Sequence, residues 1–128
     1  MKVLIVEDNP SAALAVKFRL TATMNVDTVI THSAQEAIQA FKNDTFVLII
    51  MDIGLGAGLD GAEATEVIRS LESELGRPRT WVYALTAHIS EEDLDRQKSM
   101  GIDKIFEKPI SDQMIAEILE DLPILKKE

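Results

Sequence analysis

Cysteine is absent from this chain of 128 residues. No disulfide framework and no thiolate metal site can form without it. Aromatic side chains are scarce, with one Trp and one Tyr. Trp81 and Tyr83 share one apolar run, where they read as core rather than as a ligand platform. Positive charge is also in short supply: 13 Lys and Arg face 22 Asp and Glu, for a net charge of −9. Such a balance argues against a nucleic-acid or anionic-membrane surface. No apolar stretch approaches the roughly 20 residues that span a bilayer. The first apolar run starts at Val3 and leaves no room for a signal peptide. The expectation is a cytoplasmic protein without membrane contact. No repeat, low-complexity tract or linker divides the sequence, so residues 1–128 are expected to form one domain with one core. The end, Lys126-Lys127-Glu128, is expected to fray.

Five short apolar runs are present: Val3–Val6, Val26–Ile30, Phe46–Met51, Trp81–Leu85 and Ile102–Phe106. Between them lie segments of helical period. Residues 10–22 form a broadly apolar helix with Ala12, Ala13, Val16 and Leu20. Ala34, Ala37, Ile38 and Phe41 follow, with Ser33 and Glu36 spaced as a capping box. Ala64, Val67, Ile68, Leu71 and Leu75 form a longer stripe that ends near Gly76. Residues 91–99 are weakly patterned, with Ser90 as a possible cap and Leu94 and Met100 as the clear apolar positions. Met114, Ile115, Ile118 and Leu122 complete the series, between Ser111 as N-cap and Pro123 as stop. Runs such as Phe46-Val47-Leu48-Ile49-Ile50 do not alternate, which places them in a parallel sheet buried on both faces. Right-handed crossovers then give a doubly wound α/β domain.

In such a sheet the carboxyl ends of the strands share one edge, where open α/β sheets bind ligands. The first run leads into Glu7-Asp8, the third into Asp52, the fourth into Thr86 and the fifth into Glu107-Lys108-Pro109. Taken singly, Glu7 and Asp8 could simply end a strand, Thr86 could be a β-former and Lys108 a solvated cation. Asp52 is less easily explained so, because a strand end at the sheet centre is a poor place for an unpaired acid. Jointly, three carboxylates, a hydroxyl and an ammonium converge, and the acids require a divalent cation among them. General statistics favour a trans Lys108-Pro109 bond over cis. His32 reads as a surface residue before the second helix, and His88, two residues past Thr86, could overhang the cleft. Gly54, Gly56 and Gly58 lack the GK[ST] ending of a phosphate-binding P-loop and do not fit a dinucleotide fingerprint.

The pattern resembles the response-regulator receiver domain of two-component signalling over essentially the whole chain. The resemblance rests on LIVEDN with Glu7-Asp8, LIIMDI with Asp52, Gly61 in DGAEATEVIR, ALTAH with Thr86, and IFEKPI with Lys108-Pro109. It implies a flavodoxin-like (βα)5 fold whose five parallel strands run in the order 2-1-3-4-5. It further implies that Asp52 is the phosphoacceptor and that Thr86 and Lys108 bind phosphoryl oxygens. Mg²⁺ would be held by Glu7, Asp8, Asp52 and the main-chain carbonyl of Gly54, with Glu7 acting through water. The implied partner is a histidine kinase or histidine phosphotransfer domain, docking near Pro10, Ala13, Leu14 and Pro109. The sequence departs from the family in two places. Ile105 stands where an aromatic residue is common, with Phe106 on the opposite side of the strand. Gly56 replaces a usual proline, and Gly61 comes one residue later than in the commonest spacing. A switch concentrated in the 53–60 and Thr86–Ser90 loops is therefore expected, with the sparsely apolar segment 91–99 as the helix that Thr86 biases most easily.

Two other readings of the residues remain at this point. A small Mg²⁺-dependent phosphohydrolase would also use an aspartyl nucleophile, but commonly needs a second acid where Gly54 stands, and a cap domain. A binding module of the same fold would have no need of the acid cluster, Thr86 and Lys108 together.

Overall fold

The order along the chain is β1 (Lys2–Val6), α1 (Pro10–Thr23), β2 (Asp27–Thr31), α2 (Ala34–Asn43) and β3 (Leu48–Asp52). It continues with α3 (Gly61–Leu75), β4 (Trp81–Thr86), α4 (Glu91–Ser99), β5 (Lys104–Glu107), α5 (Asp112–Asp121) and a 3₁₀ turn over Pro123–Leu125. This is a computed structural model that describes residues 1–56 and 58–127, and the backbone alone of Asp93. The strands form one parallel sheet in the order β2-β1-β3-β4-β5, as expected from the sequence.

Both faces of the sheet are covered. Val3 and Ile5 of β1 and Leu48 and Ile50 of β3 pack with Ala13, Val16 and Leu20 of α1 and Met114, Ile115 and Ile118 of α5. Leu4, Val6, Ile49 and Met51 point the other way, onto Ala37 and Phe41 of α2 and Ala64 and Ile68 of α3. Residues of β1 and β3 are buried on both sides, which explains why their sequences do not alternate. A buried Leu or Ile contributes about 1.5–3 kcal/mol, whereas an exposed ion pair such as Arg19–Asp112 contributes about 1 kcal/mol at most. The two apolar layers therefore hold the fold.

Local chemistry fixes the helix starts. The Asn9 side chain accepts from the backbone N–H groups of Ser11 and Ala12, and Pro10 fills the first helical turn. Asp60 and Glu63 form a complete capping box at α3. Ser33 caps α2, but Glu36 reaches the Ser33 hydroxyl, not its main-chain N–H, so the expected box is half formed. Gly76 ends α3 in the left-handed region, at φ 64°.

Some expectations need correction. The fifth strand starts at Lys104 and not at Ile102. Asp103 is drawn out of the strand by Arg69 and Arg79, and it accepts the N–H of Val82 as well. Lys126 does not fray: Met24 and Lys126 form an antiparallel bridge, and the Asn25 N–H donates to the Leu125 carbonyl. Glu128 lies outside the described residues. The Lys108-Pro109 bond is cis; an X-Pro bond resists this by only about 0.5–1 kcal/mol, little enough for local packing to decide.

Gly61 is the position where a glycine is required. A Cβ there would lie 2.3 Å from the Asp52 carbonyl oxygen and 2.9 Å from Ile53 Cα. Both neighbours are main-chain atoms that cannot swing aside. Gly61→Ala should therefore cost about 1–3 kcal/mol, as overpacking of a tight site does. Urea denaturation monitored by circular dichroism measures this; a midpoint equal to wild type would contradict the close approach.

Candidate functional site

The strand ends bring Glu7, Asp8 and Asp52 together, with one carboxylate oxygen from each lying within 4.8 Å of the others. Glu7 and Asp52 are buried at 4% and 3% exposure, and Asp8 is open to solvent. Lys108 enters from the end of β5. Its Nζ lies 2.8 Å from Glu7 Oε1 and 3.1 Å from Asp52 Oδ1. Burial works against the Lys108 charge, but hydrogen bonds and charges from Glu7 and Asp52 outweigh it, and its pKa lies above the ordinary 10.5.

The two buried acids are already engaged. Glu7 Oε1 takes Lys108, and Oε2 accepts the Asn9 N–H at 3.2 Å. Asp52 Oδ1 takes Lys108 and the Gly54 N–H at 3.0 Å. Among the described residues no donor sits on Asp52 Oδ2. Three carboxylates against one ammonium leave two formal negative charges in the cleft. The donors are all oxygen, the set that suits a hard divalent cation.

His32 is exposed, as expected, and also contacts the main chain of the site. Its Nδ1 lies 2.8 Å from the Glu7 carbonyl oxygen. A carbonyl only accepts, so Nδ1 carries the proton. Thr86 ends β4, paired with Glu107, and its hydroxyl donates to the His88 carbonyl at 3.1 Å. The His88 ring itself is exposed. Ile105 lies on the sheet face that α2 and α3 cover, while Phe106 lies on the other face, stacked on Tyr83 with centroids 5.8 Å apart. Pro10, Leu14 and Pro109 are exposed, but Ala13 is fully buried against the sheet and cannot be part of a docking surface. Beside Lys108, between α1 and the β5–α5 connection, lies a cavity of about 360 Å³ lined by Ala12, Ala15, Val16 and Pro109 among others.

The comparisons with known proteins agree with this fold. Residues 3–120 match the response regulator receiver domain family, and the chain belongs to that family. It is 33% identical over 118 residues to the sensor protein GacS of Pseudomonas syringae pv. syringae, covering 92% of this chain and 13% of that protein. It is 36% identical over 114 residues to the autoinducer 2 sensor kinase/phosphatase LuxQ of Vibrio vulnificus, covering 88% of this chain and 12% of the relative. The chain thus spans about an eighth of the length of these relatives. Among solved structures, the receiver domain of the Francisella response regulator 1452 superposes with a TM-score of 0.76 at 25% identity, covering 96% of this chain and 93% of the other. A two-component response regulator from Clostridium difficile has the same fold, with a TM-score of 0.81 at 18% identity and 96% coverage of both chains. Among the described residues no helix is long and apolar enough to cross a membrane.

The ion pairs of Lys108 give a pH dependence. A pKa raised on folding supplies stability that is present below the ordinary value of 10.5 and is lost as pH rises through the folded value. The stability difference between wild type and Lys108→Met should therefore hold at neutral pH and shrink above about 10.5. Urea titrations in chelator at neutral and alkaline pH measure it. A difference that grows with pH would show the sign to be wrong.

Proposed function

We propose that residues 1–128 act as a single phosphoacceptor domain that receives a phosphoryl group on Asp52 and passes the signal on by conformational change or onward transfer. The observation that carries this reading is the placing of Asp52 at the sheet edge, between the Glu7-Asp8 pair and Lys108. The donor is a phosphohistidine of a histidine kinase or phosphotransfer domain, and the setting is cytoplasmic. The domain is a signalling element rather than an enzyme with a substrate of its own. A hydrolytic reading lacks a side chain at Gly54 to move a proton.

Oδ2 of Asp52, on which no described donor sits, is the oxygen that attacks phosphorus. The P–N bond breaks, its electron pair stays on nitrogen, and the ring, protonated on its other nitrogen, leaves as neutral imidazole. Phosphoryl transfer of this kind needs mainly positioning and charge neutralisation. Lys108 already touches Asp52 and can follow the developing charge onto a phosphoryl oxygen. Thr86 can donate to a second oxygen once it leaves the His88 carbonyl. Glu7, Asp8, Asp52 and the Gly54 carbonyl would hold Mg²⁺, which supplies neutralisation of the phosphoryl charge when bound. With an aliphatic Ile105 in place of a ring, the response is concentrated in the 53–60 and Thr86–Ser90 loops and reaches α4 through Thr86.

Acetyl phosphate with Mg²⁺ should add one phosphoryl group to the wild type and none to Asp52→Asn, read by intact mass. Stoichiometric labelling of Asp52→Asn would remove the assignment. In NMR titrations, Asp8→Asn and Asp52→Asn should weaken Mg²⁺ binding more than Glu7→Gln. Both Glu7 oxygens are committed to Lys108 and Asn9, which fits a role through water. Equal losses in Glu7→Gln and Asp8→Asn would reverse that order.

The histidine donor should dock on Pro10, Leu14 and Pro109, beside the α1 cavity. Leu14→Glu should slow transfer from a phosphohistidine protein on the order of tenfold, the effect of losing one central contact. Acetyl phosphate labelling should stay at the wild-type rate; equal loss with both donors would place the defect in the site itself.

A further inference from the structure

Among the described residues, one carboxylate that takes no part in the phosphoryl transfer reaches the loop between β4 and α4. Thr86 has a single hydroxyl proton, and it is spent on the His88 carbonyl at 3.1 Å. Glu107, the last residue of β5 and paired in register with Thr86, reaches the residue after His88. Glu107 Oε1 accepts the Ile89 N–H at 3.3 Å and lies 4.0 Å from His88 Nδ1. The adjacent Lys108 N–H donates to the Thr86 carbonyl at 2.7 Å, so the strand ends themselves are held by the ladder. The helix after the loop has little packing to hold it. Leu94 of α4 is half-buried, Gln97 is a buried amide, and Arg96 reaches Asp60 at 3.6 Å across exposed surface. Polar contacts therefore set the loop position, and removing one of them shifts the balance between loop states.

We propose that Glu107 is a positioning residue for Thr86: by holding the Ile89 N–H it keeps the preceding His88 carbonyl on the Thr86 hydroxyl. It thereby sets the threshold at which that hydroxyl is released to a phosphoryl group. This rests on the reading of Asp52 as phosphoacceptor and goes beyond it by naming what restrains the response. Lys108 and Glu107 are then neighbours with opposed tasks, one holding the acid cluster and the other holding the loop. A ligand that requires the released loop binds in proportion to the fraction of molecules in which the loop is free. Loosening the clamp should raise that fraction without touching any group at the site.

Beryllofluoride, a stable stand-in for the phosphoryl group, tests this in NMR titrations with Mg²⁺. Glu107→Ala should lower the half-saturating concentration by about threefold, the scale of one exposed hydrogen bond. It should also move the Ile89 amide resonance in the free protein. Glu107→Gln keeps an oxygen for the Ile89 N–H and should behave as wild type in both measurements. In a Thr86→Ala background the gain from Glu107→Ala should vanish, because the two act through one contact. Glu107→Ala equal to wild type, Glu107→Gln equal to Glu107→Ala, or a gain that persists without Thr86 would each overturn the proposal. A wild-type protein that takes neither beryllofluoride nor acetyl phosphate would instead overturn the reading of Asp52, and this inference with it.

Discussion

Everything at the working edge of this domain depends on keeping three carboxylates together, two of them buried and one open to solvent. Mutual repulsion at such range is severe in a weakly polar surrounding. The fold opposes it by construction. β1 and β3 are the central, doubly buried strands, and their register fixes the acids before any counter-ion is considered. Lys108 arrives on a third strand and touches two of the acids at once. Support then spreads outward: Asn9 and Gly54 offer N–H groups, and the His32 ring secures the Glu7 carbonyl. The remaining charge imbalance leaves the cleft net negative.

The opposite end of the sheet shows another use of charge. Arg69 on α3 binds the Gly101 and Thr80 carbonyls together with Glu72 and Asp103. These bonds tie α3 to the entries of β4 and β5 without any part in the site. One end of the sheet is thus closed by satisfied pairs. The other carries an excess of one sign. That asymmetry concentrates any ligand-driven rearrangement at the carboxyl edge.

Much of this was legible in the sequence, for physical reasons. Doubly buried strands produce unbroken apolar runs, and a parallel sheet gathers the polar residues at their carboxyl ends along one edge. Glu7, Asp8, Asp52, Thr86 and Lys108 could be picked out because burial pattern and chemistry changed abruptly at each. What escaped was set by contacts between residues distant in sequence. Nothing local at Asp103 announces Arg69, and nothing in the tail announces the Met24–Lys126 bridge. His32 looked idle because its partner is a main-chain carbonyl of another strand. Ala13 was misplaced on the outer surface because proximity in sequence to Pro10 and Leu14 stood in for helical phase. Ala13, Val16 and Leu20 face inward, whereas Leu14 and Phe18, four apart, face out.

The contact at Gly61 has a consequence for how the segment after Asp52 can vary. The Gly61 N–H donates to the Ile53 carbonyl at 3.2 Å, so the loop is fastened at its base by its first and last residues. Length added between them bulges outward and leaves both anchors in place. Closing a slightly longer loop costs little, since the entropic term grows only with the logarithm of length. The extra residue before Gly61, unusual in spacing, is thus absorbed without displacing the strand end. A segment so fastened can be lengthened, shortened or recoloured chemically while the Asp52 carboxylate stays where it is.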